Sequence, residues 1–375
     1  MSDERFVRGR ASGRVVRDGV QKVLVVDDSR VIGKIVKYAL DHDPRLTVIG
    51  VAEDAYVARD MIKSLNPDVL ILDVEMPRMS GLDFLGRIMR LHPMPVVMFS
   101  GYTQVGSDAA IRALVLGAVD CLGKPTDGIT PELLAQLADR VYAAATAQVL
   151  LSAPEQPSPT MLRDRAAAAV SSRRPVAYSK DVILIGASTG GVTAAEIVLR
   201  DLPMDAPPVI IAQHMPASFL TSFAGRLDHI LPQRVLMAED GLVLEPGCIY
   251  LARGGDRHIG LRRSGGKLSC VDIDAPKRNG HCPSVDELFL SAVDFADRVT
   301  AVILTGLGRD GAQGMLSLRQ NGAYCIAQDK ESSVVYGMPA AAADLGAVDE
   351  QIALDRIAAA ITRSINQRSR ATHGA

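Results

Sequence analysis

The sequence predicts an α/β protein with two domains, each built around a parallel sheet. With 375 residues, the chain is too long for one ordinary hydrophobic core. In each half, short apolar runs alternate with amphipathic segments, which favours parallel strands covered by helices on both faces. Between the halves, residues 148–180 include the Pro- and Ser-rich stretch SAPEQPSPT and are predicted to form a linker.

Composition narrows the classes of function. The net charge of −2 does not favour nucleic acid or an anionic membrane as the main partner, and no apolar run is long enough to span a membrane. The arginines of residues 1–20, a predicted disordered tail, are not followed by the apolar segment of a signal peptide, so a cytoplasmic protein is expected. The five cysteines are scattered without C-x-x-C pairs, which argues against a disulfide framework or a zinc site.

Five strand-like runs define the first domain, which is predicted over residues 21–147. In chain order they are KVLVVD, LTVIGVA, DVLILD, MPVVMFS and AVDCL. In an open parallel sheet, functional groups gather beyond the carboxyl ends of the strands. The ends of four of these runs carry the polar residues Asp27, Asp28, Asp73, Ser100 and Lys124.

These polar residues are predicted to form one acidic pocket with a lysine. Neighbouring carboxylates repel each other unless a cation joins them, and Mg²⁺ suits a set of oxygen donors. Asp73 would then be free to attack a phosphoryl donor, while Lys124 offers a charge to the phosphoryl oxygens and Ser100 a hydrogen bond to the product. Taken singly, each acid has a plainer interpretation, since Asp28 before SRVIGKIV would also cap a helix.

The motifs VVDDS, ILDVEMPRMSGLDFL, MFS and LGKP resemble the receiver domain of bacterial response regulators. The resemblance implies a flavodoxin-like fold in which Asp73 is the phosphoacceptor and Asp27, Asp28 and Asp73 hold the Mg²⁺ that phosphorylation needs. It also makes Ser100 and Lys124 the switch residues. Receivers usually carry Tyr or Phe three residues before the lysine, whereas this chain has Cys121, so it lacks the aromatic ring that usually transmits the signal.

The second domain, predicted over residues 181–370, repeats the alternation of strands and helices. Its strand-like runs are VILIG, VIIAQH, CIYLAR, KLSCVDI, AVILTG and AYCIAQ. Between about residues 235 and 275, turn residues stand where a long helix would otherwise be expected, which predicts a small hairpin region.

Three of these runs end in residues that suit acyl transfer. GASTGG presents Ser188 on a glycine-flanked turn, in the G-x-S-x-G spacing of a serine nucleophile. His214 directly follows the next run and would be the base, and Asp310 lies just past AVILTG and would orient that base. The order Ser, His, Asp differs from that of α/β-hydrolases and disfavours their fold. A phosphate-holding turn at Ser188 and a helix cap at Asp310 are the alternatives.

The motifs IGASTGG, QHMP, AEDG with LEPG, CPSVDELF, ILTGLGRDG and SSVVYGMP resemble the catalytic domain of chemotaxis protein-glutamate methylesterases, and a receiver joined by a linker is that family's architecture. The resemblance implies a Rossmann-like catalytic domain with Ser188 as nucleophile, His214 as general base and then acid, and Asp310 as orienting group. It implies hydrolysis of glutamate methyl esters on the cytoplasmic helical bundle of chemoreceptors, and often deamidation of glutamines there.

The resemblance also sets the expected partners, which are methyl-accepting chemotaxis receptors as substrate and a chemotaxis histidine kinase as phosphodonor. No cofactor is expected for ester hydrolysis. Oxyanion donors are predicted among the amides near His214 and of Leu307, with Thr189 as a further residue of the cleft. The family's usual Met, Arg and Pro are replaced here by Leu307, Cys282 and Arg253, and loss of the arginine removes a bidentate donor.

Two hypotheses about the second domain follow. A receiver without output chemistry of its own, joined to a candidate triad, predicts an esterase whose cleft the unphosphorylated receiver covers. The alternative is a nucleotide-binding or scaffolding module under receiver control, with Ser188 in a phosphate-holding turn.

Overall fold

The computed structural model describes residues 19–101, 104–124, 129–147 and 181–373. The predicted linker and all but the last two residues of the predicted tail lie outside the described residues. Among the helices that are described, none has the length and apolar character needed to cross a membrane.

The first half of the chain folds into alternating strands and helices. They are β1 (Gln21–Val26), α1 (Arg30–Asp41), β2 (Leu46–Ala52), α2 (Ala55–Leu65), β3 (Val69–Leu72), α3 (Gly81–Leu91), β4 (Val96–Gly101), α4 (Gln104–Val115), β5 (Asp120–Lys124) and α5 (Pro131–Thr146). The five strands described here are parallel and run in the order β2-β1-β3-β4-β5. This order confirms the predicted flavodoxin-like receiver fold, and β3 is buried along its whole length because helices cover both faces.

Polar residues at the helix starts explain where α1 to α3 begin. The side chains of Ser29, Asp54 and Ser80 accept hydrogen bonds from amides in the first turns of α1, α2 and α3. Ser29, and not Asp28, therefore caps α1, which leaves the Asp28 carboxylate free of that role.

The second half forms a larger sheet with helices and a separate hairpin. Its elements are β6 (Val182–Ala187), α6 (Gly191–Arg200), β7 (Val209–Gln213), α7 (Ala217–Ile230), β8 (Arg234–Ala238), β9 (Cys248–Ala252), β10 (His258–Ser264), β11 (Lys267–Ile273), α8 (Val285–Leu290), a 3₁₀ turn (Val293–Arg298), β12 (Val299–Ile303), α9 (Ala312–Gln320), β13 (Tyr324–Gln328), α10 (Met338–Asp344), β14 (Glu350–Ile352), a 3₁₀ turn (Leu354–Arg356) and α11 (Ile357–His373).

The main sheet of the second half is parallel throughout the described residues, in the order β14-β13-β12-β6-β7-β9-β8. The chain order reverses at β6, which lies between β7 and β12. An open α/β sheet places its functional site beyond the strand ends at such a reversal. The ends of β6, β7 and β12 are the ends that carry the three predicted catalytic residues.

The hairpin region is smaller than predicted. β10 and β11 form the antiparallel pair, from His258 opposite Ile273 to Ser264 opposite Lys267. β8 and β9, which the sequence suggested were part of the hairpin region, instead pair in parallel within the main sheet. β9 is buried along its length, so both faces of the sheet are covered at this strand.

Helix α4 joins the two halves by packing against α7 and α6. Ser107 Oγ donates a hydrogen bond to Ser218 Oγ at 2.9 Å, and Ser222 donates to Asp108. Buried apolar side chains from both halves belong to one continuous cluster. The receiver therefore lies directly against the second domain, beside the strand ends described next.

Candidate active site

Ser188 is the first residue after β6, and its backbone is fixed on both sides. Its amide donates to the Thr305 carbonyl at 3.1 Å, and its own carbonyl accepts from Gln213 Nε2 at 2.9 Å. The residue is 5% exposed. Ser188 is therefore held in place by the two neighbouring strands before its side chain makes any contact.

The glycines after Ser188 are required by close packing. Gly190 has a φ of 77°, and a Cβ there would lie 2.7 Å from Val334 Cβ. A Cβ on Gly191 would lie 2.3 Å from Gln213 Oε1. Only glycine allows the chain to turn this sharply from β6 into α6.

His214 emerges beside Ser188 because β6 and β7 are paired in register. Ala187 is opposite Gln213, and the His214 amide donates to the Ala187 carbonyl at 3.0 Å. His214 Nε2 lies 2.8 Å from Asp310 Oδ2, and both side chains are fully buried. Because the carboxylate accepts from Nε2–H, the lone pair of the neutral ring is on Nδ1.

His214 Nδ1 is buried and has no hydrogen-bond partner in the described part of the chain. No hydrogen bond joins it to the Ser188 hydroxyl within those residues. Catalytic bonds of this kind often form only when substrate is in place. Nδ1 is therefore the ring atom that remains available to accept a proton from the predicted nucleophile.

Asp310 is fully enclosed by hydrogen-bond donors. Besides His214, its carboxylate accepts from Asn279 Nδ2 at 3.0 Å, Ser284 Oγ at 2.8 Å and the Val285 amide at 2.7 Å. Burial opposes ionisation, but the bonds from His214, Asn279 and Val285 outweigh it and hold the pKa of Asp310 far below its ordinary value. The side chain is thus a fixed anion behind the imidazole.

A tight turn at residues 278–281 also reaches the site, and sequence reasoning missed it. Arg278 and His281 exchange two backbone hydrogen bonds, and Asn279 and Gly280 between them have φ values of 51° and 81°. The His281 ring stacks on His214, with centroids 3.7 Å apart and planes 8° apart. The Asn-Gly pair is the sequence signal that could have found this turn.

The predicted oxyanion donors differ in availability. The His214 amide is committed to the β6 ladder through Ala187, so it is not a free donor. The Leu307 amide makes no hydrogen bond within the described residues. It lies next to Gly306, whose Cβ position is 2.7 Å from Ser188 Cβ. Thr189 Oγ1 donates to Asp120 of the receiver at 2.5 Å and is therefore part of the contact between the two halves.

The remaining departures from the expected pattern are Arg253 and Cys282. Arg253 forms an ion pair with Asp272 in the hairpin. Cys282 follows His281 and is half-buried, and burial raises the pKa of its thiol, so it remains protonated. Neither residue takes part in a hydrogen bond with Ser188, His214 or Asp310 in the described residues.

A cavity of about 480 Å³ adjoins the site from the Asp310 side. Its lining includes charges of both signs, from Arg278, Arg309, Asp286 and Asp344. Its volume is within the range of ligand pockets. Ser188 and His214 do not line it, so it is a separate space beside the three predicted catalytic residues.

The receiver half brings Asp27, Asp28, Asp73 and Lys124 together at one end of its sheet. Ligand oxygens of Asp27, Asp28 and Asp73 lie within 4.8 Å of one another, an oxygen-only set that fits Mg²⁺. Lys124 Nζ lies 2.7 Å from both Asp27 Oδ2 and Asp73 Oδ2. Ser100 Oγ, at the end of β4, is buried without a partner among the described residues.

The charge state of Asp73 reflects its surroundings. Burial, with a smaller effect of the Asp27 charge, raises the pKa of Asp73 above its ordinary value, although Lys124 opposes the shift. Cys121, three residues before the lysine, is 3% exposed and lies in the apolar core of this half. It fills the place where receivers usually have an aromatic ring.

The fold and the two clusters define a class of protein in which a response-regulator receiver is joined to an α/β domain with serine, histidine and aspartate at one sheet edge. The family model for the response regulator receiver domain matches residues 23–137, and the one for CheB methylesterase matches residues 183–361. The chain belongs to the CheB methylesterase family.

Curated relatives match almost the whole chain. A protein-glutamate methylesterase/protein-glutamine glutaminase of Caulobacter vibrioides is 47% identical over 342 residues, covering 91% of this chain and 96% of that protein. Its counterpart in Chromohalobacter salexigens is 48% identical and covers 93% and 98%. The crystal structure of the Thermotoga maritima CheB methylesterase catalytic domain is 35% identical and covers 50% of this chain and 98% of that chain, with a TM-score of 0.47. The alternative of a nucleotide-binding or scaffolding module is not favoured.

Proposed function

We propose that this protein hydrolyses glutamate γ-methyl esters on methyl-accepting chemotaxis receptors, deamidates receptor glutamines, and is activated by phosphorylation of its receiver. Curated relatives that carry both activities in their names align over more than nine-tenths of the chain. The observation that carries the assignment of roles is the hydrogen bond between His214 and Asp310 at the sheet edge where Ser188 emerges.

The reaction follows from the available atoms. Ser188 Oγ attacks the side-chain carbonyl carbon while His214 Nδ1 takes its proton, and Asp310 stabilises the imidazolium that forms. The carbon–oxygen bond to the methoxy group then breaks, and His214 returns the proton so that methanol leaves. Water adds to the acyl-enzyme with Nδ1 as base, which releases the glutamate and restores the serine. A glutamine substrate would release ammonia by the same route.

Among the described residues, the Leu307 amide is the proposed oxyanion donor. It is free of other hydrogen bonds there and belongs to the loop whose Gly306 touches Ser188. Gly306 permits this approach because it has no side chain. A donor aimed at the developing negative charge is worth roughly 10²- to 10³-fold in kcat in serine hydrolases.

Asp73 is the proposed phosphoacceptor, with a chemotaxis histidine kinase as the donor. Asp27, Asp28 and Asp73 would hold Mg²⁺, which when bound offsets negative charge on phosphoryl oxygens. Lys124 already contacts Asp73 and supplies a second positive charge there. The unpartnered Ser100 hydroxyl is available to a phosphoryl oxygen.

The unphosphorylated receiver is proposed to restrict access to the esterase site. Ser188 and His214 are 5% and 3% exposed, and Asp120 of the receiver bonds to Thr189, the neighbour of the nucleophile. Phosphorylation would weaken this packing. The proposed place of action is the cytoplasm, on the receptors' cytoplasmic helical bundle, without membrane insertion and without nucleic acid.

The test of the triad is methanol release from methylated receptor membranes with the full chain, a small phosphodonor and Mg²⁺. Ser188→Ala should abolish turnover, whereas Ser264→Ala, on the exposed tip of the β10–β11 hairpin, should leave it unchanged. Mass spectrometry of the receptor before and after incubation reports ester and amide hydrolysis together. Retained turnover in Ser188→Ala would refute the assignment of the nucleophile.

Phosphorylation control has its own test. The rate with phosphodonor and Mg²⁺ should exceed the rate without them, and Asp73→Asn should remove the difference. Equal rates in all three conditions would remove Asp73 from the mechanism.

A further inference from the structure

His281 covers one face of the general base. Its ring centroid lies 3.7 Å from that of His214 and the planes are 8° apart, so the two imidazoles are stacked almost parallel. The His214 ring is otherwise tethered at one atom, Nε2, by the bond to Asp310. Because the ring is also attached covalently at Cγ, only tilts about the line through Cγ and Nε2 remain, and a flat neighbour restricts them.

The turn that carries His281 is fastened to the same aspartate. Arg278 and His281 close the turn by two backbone hydrogen bonds, of 2.9 and 3.1 Å. Asn279 Nδ2 donates to Asp310 Oδ1 at 3.0 Å and to Asp286 Oδ2 at 3.1 Å. Asp310 thus helps to position both rings. It accepts a hydrogen bond from the His214 side chain, and it holds the turn that carries His281 through Asn279.

His281 is neutral where it stands. Burial first, and then the charges of His214, Arg140 of the receiver and Lys277, lower its pKa to about 3, against a smaller opposing effect of Asp310. A neutral ring does not compete with His214 for the carboxylate. It also presents a π face to the imidazolium that forms during catalysis, which favours that cation.

We propose that His281 is a positioning residue that holds the His214 ring with Nδ1 toward the Ser188 hydroxyl. The inference rests on the proposed function, because its kinetic test measures methanol release from methylated receptors. It requires an aromatic face at position 281 and no proton transfer by that side chain. Phenylalanine should therefore replace it and alanine should not.

The experiment compares His281→Phe and His281→Ala in the full chain, with phosphodonor, Mg²⁺ and methylated receptor membranes. The alanine variant should lose about 10- to 100-fold in kcat with KM almost unchanged, because a misoriented base costs rate and not binding. The phenylalanine variant should keep kcat within about threefold of wild type. His229→Ala, at the exposed end of α7, is the matched control and should have no effect.

A spectroscopic readout separates positioning from general damage. The low-field proton resonance of His214 Nε2–H, which reports the bond to Asp310, should persist in the phenylalanine variant and broaden in the alanine variant. If the alanine variant is unfolded at the assay temperature, His281→Leu, which keeps apolar volume without a ring, takes its place.

Three results would overturn the inference. Equal losses in both variants would mean that His281 transfers protons or contacts substrate. Unchanged kcat in His281→Ala would mean that the stack has no role, and a loss confined to KM would assign the residue to substrate binding. If wild type itself releases no methanol, the proposed function fails, but the resonance of His214 still decides whether His281 orients the ring.

Discussion

Asp310 determines which nitrogen of His214 is available for its proposed role as the base. Its carboxylate accepts from Nε2–H at 2.8 Å and from Asn279 and Ser284, so it has no hydrogen of its own to offer. In Asp310→Asn the amide can donate to the ring, which favours the tautomer with the hydrogen on Nδ1. We expect kcat to fall about 10³- to 10⁴-fold with little change in KM, as for other triads with the wrong tautomer.

The measurement is steady-state methanol release by the activated full chain. Asp344→Asn is the control, because Asp344 lines the neighbouring cavity without a hydrogen bond to the triad in the described residues. A loss of less than tenfold in Asp310→Asn would show that the Nε2 bond is not required for the base.

His281 also makes the stability of the protein depend on pH. Its pKa is about 3 in the folded chain, against an ordinary value of 6.5, because burial disfavours the cation. The unfolded chain therefore binds a proton more readily, so the contribution of this residue to stability is complete above pH 6.5 and is lost as pH falls from 6.5 toward 3.

We therefore expect the free energy of unfolding to fall less steeply with acid in His281→Phe than in wild type. The difference in slope should stay below about 1.4 kcal/mol per pH unit, the limit for one proton. Urea unfolding of both proteins at several pH values in this window tests the expectation, and parallel curves would contradict it.

At the level of elements, two glycine substitutions distinguish the effect of the 278–281 turn on catalysis from the general cost of backbone strain. Gly280 has a φ of 81° and nothing within 4 Å of its Cβ position, and Gly266 at the β10–β11 turn has a φ of 78° and equally open space. Alanine at either position should cost about 1 kcal/mol of folding stability. Gly280→Ala should also lower kcat severalfold, because its turn carries His281 and Asn279, whereas Gly266→Ala should not.

Thermal melting and methanol release on the two glycine variants provide the comparison. Equal kcat values at equal loss of stability would show that the active site tolerates movement of the 278–281 turn.

The elements also explain which features could be predicted from the sequence. Asp27, Asp73, Ser188 and His214 each follow a buried apolar run, and parallel strands deliver their ends to one edge, so local pattern and one topological rule were enough to place them. His281 follows no strand or helix period, and its stack on His214 depends on where a turn lands in three dimensions. β8 was assigned to the hairpin region because turn residues follow it, and only pairing with β9 reveals its place in the main sheet.

At the level of the whole molecule, a buried polar contact links the receiver to the turn that carries Ser188, the proposed nucleophile. Asp120, at the start of β5, accepts from Thr189 Oγ1 at 2.5 Å and from Arg140 at 2.9 Å. The bond from Ser222 to Asp108, which also crosses the interface, is exposed and is therefore worth less. Weakening the buried contact should favour the uncovered state of the esterase site.

We expect Asp120→Asn to raise the rate without phosphodonor by about tenfold, since a hydrogen bond to a charged group contributes roughly 1.5 kcal/mol and each 1.4 kcal/mol is tenfold. Asp108→Asn, at the exposed edge of the same interface, should raise it less than about twofold. With phosphodonor and Mg²⁺, wild type and Asp120→Asn should converge, because phosphorylation has already released the receiver. A fall in the rate of Asp120→Asn under both conditions would instead mean that Asp120 helps to hold Thr189 and Ser188 in their catalytic arrangement, and that the receiver contributes to the active site it covers.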